Sequence, residues 1–169
     1  MEFDYLNNTS ELSKSVVDEL LLRGLKVGCA ESCTGGLLAG AITSVSGASG
    51  VFECGVVSYS ERIKSELLGM TQKFIDTHGV VSAEVARQMA KGIIKLCGCD
   101  VGVGITGIAG PGGGTDSQPV GTIYVSVICK DKEITKDLRL YTLGSFARDE
   151  NRHFAVSHAL GFILDILKG

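Results

Sequence analysis

Residues 82–107, SAEVARQMAKGIIKLCGCDVGVGITG, set a helix directly against a strand, and that pairing decides the fold class. Val85, Met89, Ile93 and Leu96 recur at helical spacing and make one apolar face. Ser82 stands where an N-cap belongs and Gly98 just past the last turn, so the spacing predicts a helix over Ala83–Cys97. Val101 to Ile105 then reads as a strand, followed by the glycine-rich stretch Gly107 to Gly114. Gly102, Gly104 and Gly107 match the G-x-G-x-x-G spacing of a dinucleotide fingerprint. Such a fingerprint has to bridge a strand into a helix, and here it lies inside the strand and runs on into Gly110-Pro111-Gly112-Gly113-Gly114. A Rossmann site is therefore rejected, and no G-K-[ST] is present for a P-loop.

Toward the N-terminus, Leu12, Val16, Val17, Leu20 and Leu21 form a stripe that predicts a helix from Ser10, as N-cap, to Arg23. Val27–Ala30 reads as a short buried strand, Gly35–Thr43 as a helix packed by small residues, Gly55–Tyr59 as a strand and Arg62–Leu68 as a short helix. Toward the C-terminus, Val120–Ile128 and Glu133–Leu140 flank Lys130-Asp131-Lys132 as an antiparallel hairpin. Arg148–Leu167 is a long amphipathic helix with Ala155, Ala159, Phe162, Ile163 and Ile166 inward. Early alternation and a late hairpin predict an α/β fold, a layered α/β/α single domain over residues 1–169 with a mixed sheet. No repeat or low-complexity linker interrupts it.

The composition, 44% hydrophobic and 21% charged, is that of a globular chain. A net charge of -3, with its cations interleaved among acids, argues against a nucleic-acid partner. No apolar run approaches the roughly 18 residues of a membrane span. Glu2, Asp4 and Glu11 leave no basic region of a secretory signal, so a cytosolic protein is expected. The cysteines at 29, 33, 54, 97, 99 and 129 form no C-x-x-C unit and have no histidine at ligand distance, so reduced thiols and no metal are expected.

Four segments can carry chemistry. In Ala30-Glu31-Ser32-Cys33-Thr34-Gly35-Gly36, Ser32 sits between a strand and a helix, where free backbone N–H groups suit a developing oxyanion. Taken alone, Ser32 or Thr34 reads equally as a helix cap. His78, His153 and His158 show no obvious carboxylate partner, so a Ser-His-Asp triad has weak support, and a lysine is the alternative base for a serine nucleophile. Lys64, with Tyr59, can face the same cleft if Tyr59 ends its strand and Lys64 opens the next helix. The Gly107–Gly114 loop offers N–H groups to an anion, with Thr106 as an added donor. Arg148 and Arg152, four apart, read either as a solvated face or as a guanidinium pair for a phosphate.

Four blocks, AESCTGG at 30–36, VSYSERIK at 57–64, GITGIAGPGGGT at 104–115 and QPVGTIYV at 118–125, resemble the CinA C-terminal domain family, the nicotinamide-nucleotide amidases of PncC type. Arg148, Arg152, Ala159 and Leu160 keep the spacing of that family's final helix. The resemblance implies deamidation of nicotinamide mononucleotide without metal or cofactor. Ser32, Tyr59 and Lys64 would be catalytic, and Cys33, Thr34, Gly35, Gly36, Thr106, Gly107, Gly110, Gly112 and Arg148 would bind substrate. The implied partner is a small pyridine nucleotide rather than nucleic acid or membrane; homo-oligomerisation is left open. The family's Gly-Asp-Arg is replaced by Phe146-Ala147-Arg148. The alternatives are a weakly active pyridine-nucleotide-binding module of the same family, or Cys33 as nucleophile.

Overall fold

The computed structural model describes residues 5–168, built on one five-stranded sheet of order β2-β1-β3-β4-β5. In chain order the elements are α1 (Tyr5–Arg23), β1 (Val27–Glu31), α2 (Leu37–Thr43), β2 (Phe52–Val57), α3 (Glu61–Leu68), α4 (Gln72–His78), α5 (Ala83–Cys97), β3 (Val101–Gly107), β4 (Ile123–Cys129), β5 (Lys132–Asp137) and α6 (Arg148–Lys168). β1 runs parallel to β2 and β3, whereas β4 is antiparallel to both β3 and β5. The mixed sheet and late hairpin are as predicted.

Helices cover both faces, so β1 is buried along its whole length. Val27, Cys29, Val101, Val103 and Ile105 join the core made with α1, α2 and α6. The opposite face of β1 and β3 carries Gly28, Gly102 and Gly104, and α5 lies on them. A Cβ on Gly102 would run into the Ala90 carbonyl, and one on Gly104 into that of Ala86. The glycine spacing is thus a packing device. It lets the backbone of a helix rest on a strand, and no nucleotide is needed to explain it.

Several boundaries shift. Ser10 lies inside α1, which begins at Tyr5, and Leu21 turns outward at 46% exposure. β2 ends at Val57, leaving Tyr59 in the connection to α3. α2 begins at Leu37, because Gly35 and Gly36 take left-handed φ values of 61° and 95°. In the last turn of α5, Cys97 covers Gly28 in place of Leu96, which is 46% exposed. β4 starts at Ile123 and β5 stops at Asp137. No helix among the described residues is long and apolar enough to cross a membrane.

Gly104→Ala is expected to lower unfolding free energy by about 1–3 kcal/mol through overpacking against Ala86 and Ala90. Gly40→Ala, in α2 with open space around its would-be Cβ, should instead stabilise by about 0.5–1 kcal/mol. Urea denaturation followed by circular dichroism separates the two.

Candidate active site

β1 lies between two parallel neighbours, and its chain continues to one through α2 and is joined to the other by way of α5. A crevice opens at the carboxyl ends of strands at such a point. Here the strands grip one residue past the ladder. The Ser32 N–H donates to the Ile105 carbonyl (3.0 Å), and the Ser58 N–H donates to the Glu31 carbonyl (2.8 Å). Ser32 therefore starts its turn from a fixed position.

The turn is held by Glu31. Its carboxylate, 1% exposed, accepts the N–H groups of Gly36 (3.2 Å), Leu38 (3.1 Å) and Ala39 (2.9 Å) at the start of α2. An acceptor from the preceding strand thus does what an N-cap side chain does elsewhere, and it suits the positive end of the helix. Inside the turn Gly35 N–H donates to Ser32 O (3.1 Å) and Leu37 N–H to Thr34 O (3.2 Å). Neither the Cys33 nor the Thr34 N–H has another residue as acceptor among the described residues.

Lys64 comes from α3, whose N-cap Ser60 accepts the Ile63 N–H. The side chain is only 1% exposed. Its Nζ donates to the Ser58 carbonyl (2.5 Å) and lies 3.3 Å from Ser32 Oγ. Burial lowers its pKa from the ordinary lysine value, against a weaker opposing pull from Glu61 and then Cys33. α3 reaches this depth because α5 has Gly92 where Leu68 passes; a Cβ there would lie 2.6 Å from the Leu68 carbonyl oxygen.

The opposite wall is built from the glycine loop and α6. Arg148 donates to the Gly110 carbonyl (2.6 Å) and to the Tyr59 hydroxyl (3.0 Å), joining three segments. Asn151, buried, donates to the carbonyls of Ala109 (3.1 Å) and Phe146 (3.3 Å). Between the walls is a cleft of about 430 Å³, lined by Ser32, Cys33, Tyr59, Glu61, Lys64, Arg148 and loop residues that include Thr106, Gly107, Gly110 and Gly112.

The sequence pattern of the CinA C-terminal domain matches residues 9–167. The chain belongs to the CinA C-terminal domain family. A CinA-like protein of Akkermansia muciniphila is 43% identical over 156 residues, 92% of this chain and 37% of the relative. The chain spans about two fifths of the length of the curated relatives it matches. Among solved structures, the competence/damage inducible protein CihA from Agrobacterium tumefaciens is 35% identical with a TM-score of 0.90, covering 96% of both chains. A CinA superfamily protein from Klebsiella pneumoniae is 31% identical with a TM-score of 0.88, over 95% of this chain and 98% of that one.

Within this CinA fold Ser32, Tyr59 and Lys64 do converge on one cleft, together with Cys33, Thr106, Gly107, Gly110, Gly112 and Arg148. Thr34, Gly35 and Gly36 do not line it. Thr34 is wholly buried and its carbonyl accepts from Arg152 (3.1 Å), while Gly35 and Gly36 spend their N–H groups inside the turn. Oxyanion donors are thereby narrowed from Cys33–Gly35 to the Cys33 N–H, Cys33 being the one of these residues that lines the cleft. Thr106 is also reassigned: its hydroxyl donates to the Val80 carbonyl (2.8 Å) and is no free donor. Arg148 and Arg152 form no phosphate pair, because Arg152 is turned onto Thr34 and Asp149. Cys33 is 5% exposed, and burial pushes its thiol up to about 12, which makes it a poor nucleophile. None of the three histidines lines the cleft.

Glu31 and Asn151 are the residues that sequence reasoning missed. An acid ending an otherwise apolar strand was the available signal for Glu31; Asn151, the sole uncharged polar residue in Arg148–Arg152, gave no more than a hint. Glu31→Gln would place an amide NH₂ against backbone N–H groups that need an acceptor. A loss of about 1–3 kcal/mol is expected, read as a lowered Tm.

Proposed function

We propose that this chain is a nicotinamide-nucleotide amidase, converting the carboxamide of nicotinamide mononucleotide to the carboxylate with release of ammonia. The observation that carries the reading is the nearly water-free Lys64 Nζ, 3.3 Å from Ser32 Oγ in a cleft of small-molecule size. An exposed lysine is protonated at neutral pH and useless as a base. A desolvated one releases its proton more readily, and an adjacent serine is then activated. The pyridine nucleotide as substrate rests on the family resemblance.

In the proposed sequence neutral Lys64 points its lone pair at Ser32, one N–H being held by the Ser58 carbonyl. Ser32 Oγ attacks the carboxamide carbon and its proton passes to Lys64 Nζ. The oxyanion falls to the N–H group of Cys33. The lysine ammonium returns the proton to the departing nitrogen, ammonia leaves, and an ester to Ser32 remains. A water then gives its proton to Lys64 and attacks the ester carbon. Ser32 recovers that proton as nicotinate mononucleotide departs. Tyr59, its hydroxyl polarised by Arg148, assists at the leaving nitrogen. Arg148 and the loop at Gly107–Gly112 receive the ribose phosphate. No cofactor enters any step.

Ser32→Ala and Lys64→Met should each reduce ammonia release from nicotinamide mononucleotide by roughly 10²–10⁴-fold. A wild-type rate in Ser32→Ala, which leaves Cys33 intact, would overturn the serine mechanism. Saturable binding of the nucleotide without turnover by the wild-type protein would identify a binding module instead. Since only neutral Lys64 accepts a proton and burial lowers its pKa, kcat/KM should rise with pH along a limb below the usual lysine value of about 10.4. Lys64→Met should lose that limb.

A further inference from the structure

The cleft has one carboxylate on its lining, Glu61, and the mechanism above leaves it unused. Glu61 is the first residue of α3 and Lys64 the fourth, so the two stand one helical turn apart on the same face. Both line the cleft, Glu61 exposed and Lys64 buried. The acid is not a free side chain in solvent. Gln72, the first residue of α4, donates one amide N–H to Glu61 Oε2 (3.0 Å) and the other to Asp76 Oδ1 (2.9 Å). A neutral amide with two protons and two carboxylate acceptors is a well-matched clasp, and it ties the start of α3 to α4.

We infer that Glu61, clasped by Gln72 at the edge of the cleft, is a positioning residue that keeps Lys64 basic enough to take and hold the proton of Ser32. The inference rests on Lys64 being the base. Burial alone drives a lysine toward neutrality, and an amine that is too weak a base neither removes a serine proton nor stays protonated long enough to pass it on. A carboxylate one turn away restores part of the lost basicity without forming an ion pair that would remove the lone pair from use.

The other charged groups near Lys64 are accounted for. Arg148, across the cleft, is engaged with Gly110 and Tyr59. On α4 Asp76 shares the Gln72 amide, and Lys73 and His78 are that helix's other titratable groups; on α3 itself Arg62 pairs with Glu66. On α5 Arg87 turns to Glu133, and Glu84, Lys91 and Lys95 complete the charged set of that helix. Burial is the main influence on Lys64 and lowers its pKa, and the Glu61 carboxylate, followed by Cys33, opposes it.

The test is the pH dependence of kcat/KM for ammonia release in wild type, Glu61→Gln and Gln72→Ala, with Lys64 titrated in parallel by NMR of ¹³Cε-labelled lysine. Removal of the negative charge should move the acid limb of Glu61→Gln to lower pH. That makes the variant about two- to fivefold faster than wild type well down the limb, the range expected of one solvent-exposed charge pair, while its plateau above the limb falls below wild type because the neutral amine is a weaker base. Gln72→Ala, which frees the carboxylate, should move the limb the same way by less. Added salt should shift the wild-type limb toward that of Glu61→Gln and leave the variant's nearly in place. A Glu61→Gln limb and a Lys64 NMR titration that both coincide with wild type would overturn the inference. Absence of ammonia release in wild type with a shifted Lys64 titration in Glu61→Gln would strike at the amidase reading and leave the coupling intact.

Discussion

The depth at which α5 lies on the sheet governs the rest of the molecule. Gly102 and Gly104 admit the backbone of α5 at Ala90 and Ala86, closer than any side chain on β3 would allow. The same helix carries Gly92 on another side, and into that gap passes the Leu68 backbone at the end of α3. Two successive close approaches therefore bring α3 down beside the ends of β1 and β2. Only from there can a lysine reach Ser32 and the Ser58 carbonyl while losing nearly all contact with water. The perturbed chemistry of Lys64 is thus a consequence of glycines on a strand and a helix that the side chain never touches.

The second constraint is electrostatic. A helix of seven residues begins beside Ser32, and its first N–H groups would be attractive to an anion in the site. Glu31 occupies them. The carboxylate takes up the helix's first donors, and Cys33, which lines the cleft, is left as the residue of the turn with a donor to offer there. Arg152 then closes the turn from the other side through the Thr34 carbonyl, so one strand residue and one helix residue clamp the same loop.

Legibility in the sequence followed how local each cause is. α5 and α6 were readable because their apolar stripes and caps are properties of consecutive residues. α4 was readable only at its end, where Gly79 follows His78: in seven residues only Phe74 and Ile75 are apolar, and the Thr71 cap has no stripe behind it. The spacing of Gly102 and Gly104 was visible, but its meaning depended on a helix packed from another part of the chain. Glu31 looked like a neighbour of Ser32, whereas its partners lie five to eight residues on. Tyr59 and Lys64 could be brought to one cleft only conditionally, and the condition changed: Tyr59 lies beyond its strand, and Arg148 is what fixes its hydroxyl.

Arg148 shows how the site tolerates an altered approach to the last helix. The segment Phe146-Ala147 precedes it, with the Phe146 ring packed against Phe154 and the Phe146 carbonyl held by Asn151. The entry to α6 is therefore fixed by aromatic packing, one buried amide and the Glu150 carboxylate, which accepts the Ala147 N–H (2.6 Å), rather than by a glycine and an acid before the arginine. Asn151 also holds the Ala109 carbonyl, adjacent to the Gly110 carbonyl that Arg148 takes. The start of α6 and the glycine loop are consequently tied into one wall. Tyr59 is attached to that wall through Arg148, although its backbone belongs to the opposite one. A ligand that displaced the Arg148–Tyr59 contact would therefore unlink the two sides of the cleft, and one that bridged it would draw them together over Ser32.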